Sequence, residues 1–124
     1  MNSFSGQRWK LDKYKKLENN EGVWKSDDFW LFKTKDDDLI YIENTSQNNS
    51  KTKVLGAKGD GKVILQDLEE DKAHQLWKKG ELDADGFFTL ENFKVSKILT
   101  ATSSKSLELK GNITHSQVNK LLIN

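Results

Sequence analysis

Gln75-Leu76-Trp77 is followed ten residues later by Phe87-Phe88-Thr89-Leu90-Glu91-Asn92, and the reading of this stretch decides the fold. The same order stands earlier, in a worn form, as Phe29-Trp30 and then Leu39-Ile40-Tyr41-Ile42-Glu43-Asn44. Trp77 lies 15 positions before Asn92, and Trp30 lies 14 before Asn44. Downstream, Lys53-Val54-Leu55-Gly56-Ala57 aligns with Lys97-Ile98-Leu99-Thr100-Ala101, and Val63-Ile64-Leu65-Gln66 with Leu107-Glu108-Leu109-Lys110. The offset changes once, at residues 47–51, and length changes belong in surface loops. Four apolar segments kept in order amount to an internal repeat of about 45 residues, which bounds the architecture before any local assignment.

Short apolar stretches recur roughly every 8 to 12 residues with turns between them, which points to an all-β barrel or sandwich. Gln7-Arg8-Trp9-Lys10-Leu11 alternates and predicts an opening strand; Asn19-Asn20-Glu21-Gly22 predicts a turn, and Val23-Trp24 the start of another strand. Lys58-Gly59-Asp60-Gly61 is the sharpest turn and joins Val54-Leu55 to Val63-Ile64-Leu65 as a hairpin. Residues 68–79 fit a one-turn helix leading into a short strand, because the repeat sets Trp77 on strand-like Trp30. Residues 81–86 form a turn before strand Phe87-Leu90, and residues 117–123 fit a closing strand or a frayed helix. A unit of this kind exposes an apolar face that only neighbouring units can cover, so about three are needed for a closed core. The chain then divides into lobes at 7–35, 36–80 and 81–124 of one domain, the first lobe abbreviated. The short first lobe also fits a piece of a larger, multi-domain protein.

The 124 residues carry 20 Lys and Arg against 19 Asp and Glu, so no net field draws in nucleic acid or an anionic membrane. There is no cysteine, which excludes disulfides and thiolate chemistry. Met1 to Gly6 has no apolar run, and no window reaches the length of a membrane span, so a cytoplasmic location is expected over secretion. His74 and His115 lie 41 residues apart without metal-ligand spacing, and Asp36-Asp37-Asp38 fits a solvated linker. The near-calcium loop Glu81-Leu82-Asp83-Ala84-Asp85-Gly86 has Asn92 where the twelfth-position Glu is required. Lys58-Gly59-Asp60-Gly61-Lys62 lacks the ending of a phosphate loop, and no nucleophile stands at a suggestive spacing from a base. No metal, no cofactor and no enzymatic activity are therefore expected.

At Gln75-Leu76-Trp77, with its worn copy Asp28-Phe29-Trp30, the sequence resembles the ricin B-chain-like β-trefoil domains, whose repeats end in Gln-x-Trp. Gln7-Arg8-Trp9 also fits the letters, but its place in the repeat marks it as an opening strand and not a lobe end. The resemblance implies a β-trefoil of three pseudo-repeated four-strand lobes with shallow sites for glycans, commonly of galactose type. In that pattern an Asp, an Asn just before the Gln-x-Trp, and a stacking aromatic hold the sugar. Here Gly56 and Thr100 stand where the Asp belongs, His74 and Val118 where the Asn belongs, and Gln66 and Lys110 near the aromatic position.

Two non-standard polar sites remain as candidates. Asp60, Gln66 and His74, with Gln75 beside them, form one on the middle lobe; Trp24 with Asp27 and Asp28 forms the other on the first. Carboxylate, amide and imidazole groups bond paired hydroxyls, and an indole packs on sugar C–H surface. Trp30 and Trp77 sit at repeat-equivalent points and are expected in the core, whereas Trp24 is expected to be exposed. The expected function is a non-catalytic, carbohydrate-binding module; the alternative is a protein-binding or protease-inhibitory trefoil acting through loops such as residues 45–52.

Overall fold

Strands form where β-branched and aromatic residues cluster between turns of Gly, Asn and Asp. The computed structural model describes residues 7–24, 27–46 and 51–110. Among them run ten strands: β1 (Trp9–Leu11), β2 (Leu17–Asn19), β3 (Trp30–Asp36), β4 (Leu39–Asn44), β5 (Lys53–Ala57), β6 (Lys62–Asp67), β7 (Trp77–Lys79), β8 (Leu90–Asn92), β9 (Ile98–Ser103) and β10 (Ser106–Lys110). A 3-10 turn, Ala73–Gln75, precedes β7, as the repeat predicts. The protein is all-β, and no described helix is long and apolar enough to cross a membrane. Strands β4, β5, β6, β10, β9, β8 and β7 follow one another in antiparallel order, and β7 pairs back onto β4 through Ile40 and Trp77, closing a ring. Strand β3 lies outside the ring on β4.

One unit occurs three times. Trp9 pairs with Asn19, Trp30 with Asn44 and Trp77 with Asn92, each Trp opening a strand and each Asn ending its partner. The three units also join in a cycle. The strand of Trp77 docks on Ile40 of the unit before it, that of Trp9 on Phe88, and the Trp30 amide donates to the Lys15 carbonyl at 2.9 Å. Each Asn amide then turns the chain. Oδ1 of Asn19 accepts from the Glu21 N–H, that of Asn44 from Ser46 and that of Asn92 from Lys94, all within 3.1 Å. Their Nδ2 groups donate backwards, to Gln7, Asp28 and the His74 carbonyl. Buried amides are tolerated here because their polar groups are paired.

Gln7-x-Trp9 opens β1 as expected, and its Trp9–Asn19 pairing matches that of Trp77 with Asn92, an equivalence that the sequence expectation did not include. Gln7 bonds both sides of the Ala101 peptide, donating to its oxygen at 3.1 Å and accepting from its nitrogen at 2.6 Å. Trp9 Nε1 donates to the Leu99 carbonyl at 3.0 Å, as Trp77 Nε1 donates to the Leu55 carbonyl at 3.1 Å. Leu99 and Leu55 are the aligned residues of the two long repeats. Trp9 and Trp77 are wholly buried, and with Trp30, Ile42, Leu90 and Leu99 they build one core.

Other details differ from the sequence reading. Val23-Trp24 forms no strand; the residues pack against the core instead. Strand β3 runs on to Asp36 through the expected polar link, and the turn falls at Asp37, whose φ is 28°. Only Phe88 of the expected strand Phe87-Leu90 pairs before β8 begins, and it pairs with Trp9. The segment 117–123 lies outside the described residues.

Trp30 lacks what its two counterparts have: its buried Nε1 has no acceptor among the described residues. Replacement by Phe should therefore separate the three sites in chemical denaturation. Trp9→Phe and Trp77→Phe each strand a carbonyl and should cost about 1–3 kcal/mol more than Trp30→Phe, which removes an unsatisfied donor. Equal losses at all three sites would refute the assignment.

Candidate functional site

The hairpin of β5 and β6 turns through Lys58 to Gly61, closed by the Lys58 N–H on the Lys62 carbonyl at 2.8 Å. Gly61 has φ of +88°, a conformation that side chains with a Cβ adopt at a cost. Asp60 stiffens the tip by accepting the Lys62 N–H on Oδ1 at 3.0 Å. That hydrogen bond, helped by Lys58 with its Nζ 4.0 Å away, holds the Asp60 carboxyl below its ordinary 3.8.

His74 comes from the 3-10 turn, whose carbonyl is pinned by Asn92 Nδ2 at 3.0 Å. The turn after β8 brings Lys94, Val95 and Lys97, held by Asn92 Oδ1 and by a positive φ of 56° at Ser96. These three pieces meet in an open cleft of ≈ 400 Å³ with Asp60, His74, Lys58, Lys94 and Lys97 on its walls and Leu109 among its apolar residues. Three lysines and one carboxylate residue line the cleft together with the apolar Val95 and Leu109, so it offers cationic donors beside apolar surface.

The expected middle-lobe site therefore divides. Asp60 and His74 share the cleft. Gln75 is 1% exposed and fully engaged: Nε2 donates to Gln66 Oε1 and the Asp67 carbonyl, both at 2.9 Å, and Oε1 accepts from the Glu69 N–H. Gln66 lies over Gly56, where a Cβ would fall 2.0 Å from its Oε1. The place at which the resemblance calls for an Asp is filled by the Gln66 amide, and both glutamines serve the framework.

Trp24 and Asp28 of the first lobe line a second groove of ≈ 270 Å³ together with residues of the other two lobes, while Asp27 is exposed and not among its walls. Trp24 is half-buried, against expectation, with its ring edge-on to Trp9 at 6.4 Å. Asp28 accepts from Asn44 Nδ2 at 2.9 Å. Among the described residues, no group of three or more His, Cys, Asp or Glu is placed to hold a metal. Asp83, in the near-calcium loop, instead accepts the N–H groups of Asp85 and Phe87.

The lysines of the cleft were not foreseeable from the sequence. Lys58 belongs to one repeat and Lys94 and Lys97 to the next, and only the ring brings them together. No family model matches the chain, and neither a curated protein nor a solved structure matches it.

The Asp60 interaction has a defined pH signature. A lowered carboxyl contributes stability above its unfolded value, and the contribution is lost as pH falls through the folded value. The stability gap between the wild type and Asp60→Ala should be constant at neutral pH and close below pH 3.8. A gap unchanged to full protonation would contradict the hydrogen bond.

Proposed function

We propose that the chain is a non-catalytic binding module, built as a divergent β-trefoil of the ricin B-chain-like kind, that holds glycans in the Asp60–His74 cleft. The trefoil reading is supported by three Trp–Asn units docked in a cycle and by the closed ring of strands. The observation that carries the ligand reading is the meeting of Asp60 and His74, from separate turns, on one solvent-open surface. A carboxylate accepting and an imidazole donating or accepting suit vicinal hydroxyls. Val95 and Leu109 take the place of a stacking ring. Galactose-type sugars follow from the resemblance, and Lys58, Lys94 and Lys97 shift the preference toward glycans carrying acidic groups. A single shallow site binds weakly, and multivalent display raises its effective strength.

A glycan array with neutral and acidic members, followed by millimolar titration of free galactose and a uronic acid, tests this reading. Binding should favour the acidic sugars. Asp60→Ala and His74→Ala should each weaken it about tenfold, about 1.4 kcal/mol, with both variants folded and the melting temperature of His74→Ala nearly unchanged. An array without a signal, and titrations flat to millimolar sugar, would defeat the proposal.

A further inference from the structure

The turn after the Asn of each unit is built on one plan and filled in different ways. Asn19, Asn44 and Asn92 each accept the N–H two residues on, so the Asn alone sets the bend. The side chains at the tip are left to other uses. The first unit places Asn20-Glu21-Gly22 there and the second Thr45-Ser46, all exposed and none of them apolar in side chain. The third places Phe93-Lys94-Val95-Ser96-Lys97. In it Phe93 is 53% exposed and Val95 43%.

This turn is held so that it cannot fold those side chains away. The Phe93 N–H donates to the Leu76 carbonyl at 2.9 Å, the Ser96 N–H to the Asn92 carbonyl at 2.8 Å and the Asn92 N–H to the Lys97 carbonyl at 2.9 Å. Asn92 Oδ1 takes the Lys94 and Val95 N–H groups within 3.3 Å. The turn forms a ridge between two hollows. Lys94, Val95 and Lys97 line the Asp60–His74 cleft with Lys58, while Phe93 and Ser96 line a hollow of ≈ 190 Å³ with Lys78 and Glu91. Four lysines thus stand around the ridge against two carboxylates. Asp60 is taken up by the Lys62 N–H and Lys58, and Glu91 lies opposite Lys78 in the β7–β8 register. Lys94 and Lys97 enter no ion pair among the described residues.

We propose that the Phe93–Lys97 turn docks the protein on an anionic phospholipid bilayer, with Phe93 and Val95 in the headgroup layer and Lys94 and Lys97 at lipid phosphates. The mixture of residues selects this occupant. Lysine is depleted where one protein buries its surface against another, whereas apolar tips ringed by lysine suit a charged lipid surface. The lysine stems lie along the apolar layer and keep their ammonium groups among the anions. The chain's net charge of +1 supplies no long-range pull, so the attraction is local to the ridge and screened by salt. Two apolar side chains make the attachment peripheral and reversible. It does not rest on glycan binding, because Phe93 and Lys78 lie outside the cleft walls.

The test is co-sedimentation of the full chain with vesicles of phosphatidylcholine alone and of phosphatidylcholine mixed with phosphatidylserine, at low and high salt. Binding to the mixed vesicles at low salt should exceed that to phosphatidylcholine at least about tenfold and fall away at high salt. Phe93→Ala, at an exposed position that leaves the Asn92 bonds in place, should weaken it about tenfold. Lys94→Gln and Lys97→Gln should each weaken it about fivefold. Phe93→Ala should bind acidic sugars as the wild type does, and a flat glycan array would leave the vesicle result standing. The proposal is overturned if the mixed vesicles sediment no protein or no more than phosphatidylcholine does. It is overturned equally if Phe93→Ala binds them as the wild type does, or if free glycerophosphoserine binds as tightly as the vesicle surface.

Discussion

A buried indole nitrogen has one hydrogen to donate and no second way to satisfy it, so each core tryptophan needs a carbonyl brought to it. In two of three units that carbonyl is the Leu55 or Leu99 oxygen, carried on a hairpin that must lie in one register for the bond to form. An unsatisfied buried donor costs about 1–3 kcal/mol, comparable with a sizeable part of a small domain's net stability. The tryptophans thereby set hairpin position as well as filling the core. The Asn that ends each partner strand does the complementary work, turning the chain and reaching back to Gln7, Asp28 or His74, a few positions before the tryptophan.

This arrangement decides where a ligand can be met. Gln75 and Asn92 spend their amides on Gln66, the Asp67 and His74 carbonyls and nearby N–H groups, and have little capacity left over. The groups left to line the cleft sit on a hairpin tip, on the 3-10 turn before β7 and on the turn after Asn92. Asp60, His74, Lys94 and Lys97 are of that kind, and the cleft they form is a joint product of two adjacent units.

Much of this was legible in the sequence. Apolar segments in repeated order gave the all-β character, the Lys58–Gly61 hairpin turn and the short turn before Trp77. The abbreviated first lobe is legible as residues 7–35, but its Trp9–Asn19 pairing is not, although Leu17-Glu18-Asn19 matches Leu90-Glu91-Asn92 letter for letter. Its Trp9 lies only ten positions from Asn19, against 14 and 15 in the other two units, and a fixed spacing hides it. Trp24 was expected at the surface because nothing local shows that Trp9 packs beside it. Of the candidate site, Asp60 and His74 could be named from the repeat. The partition of Gln66 and Gln75 into the framework could not, since it depends on a side chain lying over Gly56. Nor could the lysines, which arrive from different units.

The equivalence of the three units is tested most directly by a nuclear Overhauser spectrum of the indole protons. The account predicts that the Trp9 Hε1 contacts the α-protons of Leu99 and Thr100 with the same pattern as Trp77 Hε1 to Leu55 and Gly56. A Trp9 indole whose contacts stay within residues 7–20 would contradict it, because the first strand would then stand apart from the cycle.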